Sequence, residues 1–172
     1  TEESAIDQLD EIIAVRSMAE RKLGVTFHIH SDACYGGYAA SITRGIDGCR
    51  QSASQIREAL GDSEWPTDPW VRAISALECA DSVSIDPHKL GYVPYAAGAF
   101  LLKDKRAREL VAIDPPYLSQ PSDDGGQASF LGRFIFEGSK PGAAAAAVWF
   151  SHRTMALNNK AHGRLIASTV RA

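Results

Sequence analysis

The chain has 172 residues, of which 45% are hydrophobic and 23% charged, and its formal net charge is -3. This composition is typical of a soluble globular domain, and its slight acidity excludes a basic surface for nucleic acid or for an anionic membrane. No apolar run approaches the length of a membrane span, and the acidic N-terminal sequence lacks a signal-peptide pattern, so we expect a cytoplasmic protein.

The cysteines also indicate a reducing compartment. Cys34, Cys49 and Cys79 are odd in number and irregularly spaced. This pattern favours free thiols over a disulfide framework. The chain does not begin with methionine and it stops within a predicted helix, so we expect it to be a piece of a longer protein.

The first predicted element is an amphipathic helix from Ser4 to Arg21, where apolar residues recur every three or four positions. Ser4 with Asp7 resembles a capping box, and Gly24 takes the position that often ends a helix. The β-rich run Val25–His30 predicts a short strand. A helix, a strand and a loop of small residues favour an α/β fold, with functional groups where strands end at their carboxyl side.

Asp32 follows the predicted strand and precedes a run of small residues ending in Gly36-Gly37. One interpretation is a carboxylate that pairs with a buried cationic group, with space beside it for a flat ligand. The alternative is an Asx turn that leads into the glycine bend. The sequence alone leaves both open.

Two histidines alternate along the same predicted strand. Because side chains of a strand point to opposite faces in turn, His28 and His30 are expected on one face. A metal-binding pair is one possibility. We favour packing or hydrogen-bonding histidines, because no third ligand of suitable spacing is evident.

A second predicted strand is followed by a lysine. The strand Ser82–Asp86 stops before Lys89, and His88 immediately precedes that lysine. A lysine beside a second cationic or proton-carrying group is expected to have a lowered pKa, as Schiff-base chemistry requires. The alternative is an ordinary solvated lysine in a turn.

The remaining predicted elements complete an α/β pattern. The run Ala97–Leu102 predicts a further buried strand, antiparallel to its neighbour because the connection is short. The proline-, glycine- and aromatic-rich segment Asp114–Gly142 is interpreted as a mobile active-site loop. The predicted helices are Ala53–Leu60, Trp70–Ala80, a short one from Lys103 to about Val111, Ala143–Leu157 and Gly163–Arg171, and Asp62–Pro69 is a predicted loop.

Two sequence motifs resemble those of a known family and occur in the same order along the chain. Ser82-Val83, five further residues, and then Lys89-Leu90 with His88 before the lysine resemble the lysine signature of the group II pyridoxal-phosphate-dependent amino-acid decarboxylases. The sequence HSDACYGG at His30–Gly37 resembles that family's HVDAAYGG element. Within the family, Asp86–Tyr95 and Glu137–Gly142 are most similar to bacterial tyrosine decarboxylases.

The resemblance implies a fold-type I pyridoxal-phosphate enzyme, similar to aspartate aminotransferase. Residues 1–172 would form the C-terminal part of the large cofactor-binding domain, with the upstream half and a small C-terminal domain outside this sequence. It also implies pyridoxal 5'-phosphate as cofactor and a homodimer with active sites at the subunit interface.

The resemblance also assigns roles to the cofactor-binding residues. Lys89 would hold the cofactor as a Schiff base, and Asp32 would pair with its pyridine nitrogen. Ala33 and Cys34 would lie against the ring, although the family usually has alanine at the position of Cys34. His88 would lie near the cofactor phosphate or the substrate carboxylate.

The same resemblance points to a proton donor and to a second subunit. Tyr95 matches a tyrosine near the substrate and is the candidate for protonating the substrate carbon. Ser139 would reach the phosphate in the partner subunit's site. Where animal aromatic decarboxylases carry a loop tyrosine, this chain has Phe130 or Phe134, which cannot donate a proton. The role then falls to Tyr95, to Tyr117 or to a residue outside this sequence.

The predicted function is decarboxylation of an aromatic L-amino acid, with tyrosine preferred. Glutamate or another amino acid is the alternative substrate. A further alternative is a non-catalytic remnant that only folds or dimerises.

Overall fold

The computed structural model describes residues 5–113, 131–137 and 140–171. They form a mixed α/β architecture with one small sheet. The helices are α1 Leu9–Leu23, α2 Ala53–Leu60, α3 Asp68–Ser75, α4 Gly142–Thr154 and α5 His162–Arg171, and the strands are β1 His30–Asp32, β2 Ser82–Ile85 and β3 Ala99–Leu102. Short 3-10 helices cover Gly36–Thr43, Ala76–Cys79, Lys105–Val111 and Leu131–Phe134. Among the described helices, none has both the length and the apolar character needed to cross a bilayer.

The sheet has the order β1-β2-β3. β1 and β2 are parallel, with Asp32 opposite Ser84, and β3 runs antiparallel to β2. The predicted antiparallel neighbour is therefore confirmed. The prediction that β3 is buried is wrong, because Phe100 is 61% and Leu101 55% exposed. β3 is one of the two edge strands of the described sheet, and the buried clusters include Ile29, just before β1, and contact Val83 and Ile85 of β2 instead.

The first predicted strand is also misplaced. Of the run Val25–His30, only His30 lies in β1, which continues to Asp32. β2 begins at Ser82, opposite His30, so the preceding residues have no strand to pair with. The amide of Ile29 instead donates to the Asp81 carboxylate at 2.8 Å.

Helix α1 starts later than predicted. It begins at Leu9, and Gln8 precedes it without a side-chain capping bond. The predicted capping box of Ser4 and Asp7 is therefore wrong for Asp7, and Ser4 lies outside the described residues. The predicted ending is confirmed, since Gly24 adopts the left-handed conformation at φ 66° that glycine tolerates best.

The main buried cluster is built around the 3-10 helix Gly36–Thr43, which the sequence analysis did not identify. From this helix, Tyr38 and Ile42 pack with Ile56 of α2 and Ile166 of α5. Ile42, Ile56 and Ile166 are fully buried. This helix directly follows the loop after β1, so the core fixes the position of the strand end that carries Asp32.

The other predicted elements are largely confirmed. α2 has its predicted bounds and begins with a capping box of Ser52 and Gln55. The predicted helix Trp70–Ala80 is split into α3 and a 3-10 helix, and α3 starts at Asp68, within the predicted loop. α4, α5 and the short helix before residue 112 match their predictions within a few residues. All three cysteines are free, as expected.

A buried histidine predicts how stability depends on pH. His162 is 1% exposed, and burial lowers its pKa. An unfolded histidine takes up a proton near pH 6.5, whereas the folded one does so only at lower pH, so the unfolded state binds more protons between these values. The free energy of unfolding should therefore fall as pH drops below about 6.5, by at most about 1.4 kcal/mol per pH unit for this group.

Urea unfolding between pH 5 and 7 measures this slope, because carboxylates titrate mainly below that range. His162→Gln should flatten the slope, while the remaining dependence reflects His152, whose pKa is lowered by burial and then by the charge of His162. An equally steep slope in His162→Gln would contradict the assignment.

Candidate active site

The carboxyl ends of two parallel strands bring the sequence-predicted residues to one edge of the sheet. Asp32 is the last residue of β1, and Lys89 lies in the turn that follows β2. The carbonyl of Cys34 accepts a hydrogen bond from the amide of Asp86 at 3.1 Å, which ties the two strand-end loops together. Ligands of open α/β sheets bind at such carboxyl ends.

Asp32 is an exposed carboxylate held by two donors. Its Oδ1 accepts from the Cys34 amide at 3.2 Å and from the Ser84 hydroxyl at 3.1 Å. Hydrogen bonds from Cys34, and then from Ser84, lower the pKa of Asp32, since they stabilise the charged form. The predicted Asx turn is confirmed, and the same turn supplies an ionised carboxylate at the strand end.

Lys89 differs from its predicted state. Its Nζ lies 2.9 Å from Oδ2 of Asp86, and its side chain is 39% exposed. The hydrogen bond that Lys89 donates to Asp86 raises the pKa of Lys89, and the negative charges of Asp86 and Asp32 act in the same direction. The predicted lowering is wrong because the amine is paired with a carboxylate, while His88 bonds elsewhere.

This ion pair gives a direct test. Asp86→Asn should lower the pKa of Lys89, because the neutral amide no longer favours the protonated amine. At a fixed pH near neutrality, Lys89 should then be reductively methylated faster, as followed by mass spectrometry of its peptide. Lys160, an exposed lysine without a carboxylate partner in the described structure, is the internal reference. An unchanged rate ratio of Lys89 to Lys160 would contradict the pairing.

The turn after the lysine is anchored to the core. A Cβ at Gly91 would lie 2.7 Å from the backbone Cα of Pro87 and 2.8 Å from Cζ of Tyr38, so only glycine fits there. The Nε2 of His162 donates to the Gly91 carbonyl at 3.3 Å. Tyr92 adopts a left-handed φ of 53°, which is uncommon for a bulky residue, and its hydroxyl hydrogen-bonds with Thr169 of α5 at 3.0 Å. These contacts fix where the lysine backbone lies.

The remaining predicted site residues are only partly brought together. His88 donates from Nδ1 to the carbonyl of Ala97, so its Nε2 is the nitrogen left for a ligand. Tyr95 is 47% exposed, and its hydroxyl has no hydrogen bond within the described part of the chain. Ala33 is buried, next to the half-buried Cys34. Ser139, Tyr117 and Phe130 lie outside the described residues.

Cys34 has a thiol of low reactivity. The Ser84 hydroxyl lowers its pKa, but burial and the carboxylates of Asp32 and Asp86 together raise it. A raised pKa keeps the sulfur protonated at neutral pH, which favours a packing role over nucleophilic chemistry.

The two histidines before the site share one face, as predicted. The Nε2 of His28 and the Nδ1 of His30 each lie within 2.9 Å of the Ser82 hydroxyl. The hydrogen-bonding interpretation is confirmed. In residues 5–113, 131–137 and 140–171, no group of three histidine, cysteine or acidic side chains is placed to hold a metal ion.

The sequence analysis missed two side chains of this edge. Ser84 bonds Asp32, and Asp86 pairs with Lys89. The alternation of Ser82 and Ser84 on β2 was a signal that their hydroxyls share a face with the two histidines.

The sequence of the chain is similar to those of known decarboxylases. The chain is 39% identical over its whole length to an L-tyrosine decarboxylase of Enterococcus faecium, and 35% identical over 99% of its length to that of Levilactobacillus brevis. The chain belongs to the family of these decarboxylases. More distant family members include an L-aspartate/L-glutamate decarboxylase of Pyrococcus horikoshii, 27% identical over 82% of the chain.

The chain corresponds to only a part of each of these decarboxylases. The chain spans 29% of the Enterococcus faecium enzyme and 28% of the Levilactobacillus brevis enzyme. No family model matches the chain. The predicted resemblance to group II decarboxylases, and to bacterial tyrosine decarboxylases among them, is confirmed by the relatives.

Proposed function

We propose that the protein carrying this chain is a pyridoxal-phosphate-dependent decarboxylase of an aromatic L-amino acid, with tyrosine preferred. The observation that supports it most is the identity of 35–39% with L-tyrosine decarboxylases across essentially the whole chain. We further propose that residues 1–172 form the C-terminal part of a fold-type I large domain, in a homodimer.

The residues of the strand edge fit the proposed cofactor. Its aldehyde requires an amine, and its pyridine nitrogen requires an acceptor that stays ionised. Lys89 offers the amine and Asp32, with its lowered pKa, offers the acceptor. The two act on each other electrostatically, since the charge of Asp32 contributes to the raised pKa of Lys89. When bound, the cofactor supplies an electron sink for the bonding pair left by carbon dioxide.

The chain's own residues then have defined tasks. Lys89 would hold the cofactor through its neutral amine, and the ion pair with Oδ2 of Asp86, at 2.9 Å, favours the protonated amine while the cofactor is absent. Asp32 would pair with the ring nitrogen of the cofactor and favour its protonated form. The Nε2 of His88 would donate to a phosphate or carboxylate oxygen when the ring is doubly protonated, since Nδ1–H already donates to Ala97. The exposed hydroxyl of Tyr95 is the proposed proton donor to the substrate carbon.

The proposed homodimer has support from one surface. On α4, Trp149 and Phe150 are each 64% exposed. Large aromatic side chains are enriched where protein surfaces pack together, so this helix face is suited to an interface. The proposed contact of Ser139 with the partner subunit's site concerns the segment immediately before this helix.

The substrate is tested by carbon dioxide release from tyrosine, DOPA, tryptophan, aspartate and glutamate, using the longest form of the protein that carries this chain. We expect release from tyrosine and DOPA. Release from aspartate or glutamate alone would replace the aromatic substrate with the acidic one, which the archaeal relative at 27% identity favours. Release from none of them would favour a non-catalytic remnant.

A further inference from the structure

One face of the small sheet carries a continuous row of polar side chains that ends at Asp32. Along β1 the row contains His30 and Asp32, preceded by His28, and along β2 it contains Ser82 and Ser84. The opposite face points toward the helices, where Val83 and Ile85 pack against the buried clusters. The polar row therefore lies on the face of the sheet turned away from these clusters.

The hydrogen bonds of this row connect in sequence. The Ser84 hydroxyl lies 3.1 Å from Oδ1 of Asp32 and 3.5 Å from Nε2 of His30. The Nδ1 of His30 lies 2.8 Å from the Ser82 hydroxyl, which lies 2.9 Å from Nε2 of His28. Ser82 is 3% exposed, so its hydroxyl depends on these two histidines for its partners.

The number of protons that each group can donate gives this row of hydrogen bonds a single direction. An ionised carboxylate only accepts, so the single proton of Ser84 points to Asp32. The Ser84 oxygen must then accept from Nε2–H of His30, which leaves Nδ1 of a neutral His30 as an acceptor. That nitrogen accepts from Ser82, whose oxygen accepts from Nε2–H of His28. Every donor in the row then points toward Asp32.

We propose that Ser84 and His30 are positioning residues that keep Asp32 ionised and oriented, with His30 fixed as its Nε2–H tautomer. The functional meaning rests on the proposed pairing of Asp32 with a cofactor nitrogen. The row of hydrogen bonds itself is supported by the distances and the strand register of the sheet, whatever the function. Hydrogen bonds in such a chain polarise one another, so removal of Ser84 affects Asp32 and His30 together.

Two further observations support the arrangement. The ring of His30 stacks on Phe100 of β3, with centroids 5.5 Å apart and an interplanar angle of 22°, which holds the ring plane. The hydrogen bond from Ser84 lowers the pKa of Asp32, since it stabilises the ionised carboxylate. The other polar groups that act on this carboxylate are Cys34 within its own loop and Lys89 in the turn after β2.

The test is an NMR titration of the 172-residue chain without cofactor, with carbon-labelled aspartate and nitrogen-labelled histidine. In the unaltered chain at neutral pH, His30 should be protonated at Nε2 and unprotonated at Nδ1. Ser84→Ala should raise the pH at which Asp32 titrates. It should also let His30 populate both of its neutral tautomers. Ser84→Thr should restore both, because it keeps the hydroxyl.

The matched control is Ser31→Ala, a serine of β1 whose side chain lies on the opposite face. It should leave the Asp32 midpoint and the His30 tautomer unchanged. An Nδ1–H tautomer of His30 in the unaltered chain overturns the proposal, even if Ser84→Ala fails to fold. An Asp32 midpoint equal in Ser84→Ala and Ser31→Ala overturns it too. Neither result bears on decarboxylation, which the substrate panel tests separately.

Discussion

Replacement of Lys89 by alanine should abolish decarboxylation, with a loss on the order of 10³-fold or more, as expected when a covalent catalytic group is removed. Lys89 lies in a turn anchored to the core through Gly91 and Tyr92, so truncation of an exposed side chain there should not unfold the protein. The loss should appear in kcat. It should be accompanied by loss of the absorbance band of lysine-bound cofactor.

The control for this prediction is Lys160→Ala. Lys160 is exposed in the connection between α4 and α5, and its backbone amide bonds Asn158 whatever its side chain. Its replacement should leave both activity and absorbance intact. An active Lys89→Ala variant that keeps the bound-cofactor band would show that the cofactor is attached elsewhere.

Replacement of Asp32 by asparagine should remove most turnover while leaving the cofactor attached. The amide keeps the shape of the side chain and can still accept from the Cys34 amide and the Ser84 hydroxyl, but it carries no charge to hold a proton on the ring nitrogen. We expect a loss on the order of 10²-fold or more in kcat, similar to that from removing a positioned acid or base. The bound-cofactor absorbance should persist.

Asp47 is a matched control for the turn geometry of Asp32. Its Oδ1 accepts from the Cys49 amide at 2.9 Å, which is the same Asx arrangement as that of Asp32 and Cys34. Asp47→Asn should therefore test the loss of a turn carboxylate without touching the site. If Asp32→Asn keeps full turnover, or if Asp47→Asn loses as much, the role of Asp32 in cofactor pairing is excluded.

The sequence predicted the strand-end location of the site but not its electrostatics. The placement of Asp32 and Lys89 follows from two runs that each end at a change from β-rich to turn residues, a signal that is local in the chain. The raised pKa of Lys89 depends on which neighbour its flexible side chain reaches. The sequence offered both His88 and Asp86, and only the folded turn, where His88 bonds Ala97, selects the carboxylate.

The misplaced elements have a similar explanation. The run Val25–His30 has strand-forming residues, but strand formation also requires a partner, and β2 begins only at Ser82. β3 has an apolar sequence that predicts burial, yet it is one of the two edge strands of the described sheet, and Phe100 and Leu101 are exposed. The 3-10 helix Gly36–Thr43 starts with two glycines, whose weak helix propensity masks an element formed by tertiary packing of Tyr38 and Ile42.

The most direct measurement of the central claim is reduction of the cofactor-loaded protein with borohydride, followed by peptide mass mapping. Reduction fixes the cofactor on the lysine that holds it. The account predicts that the added mass lies on Lys89, in the longest form of the protein that carries this chain. Mass on another lysine, or on none in a protein that releases carbon dioxide from tyrosine, would contradict it.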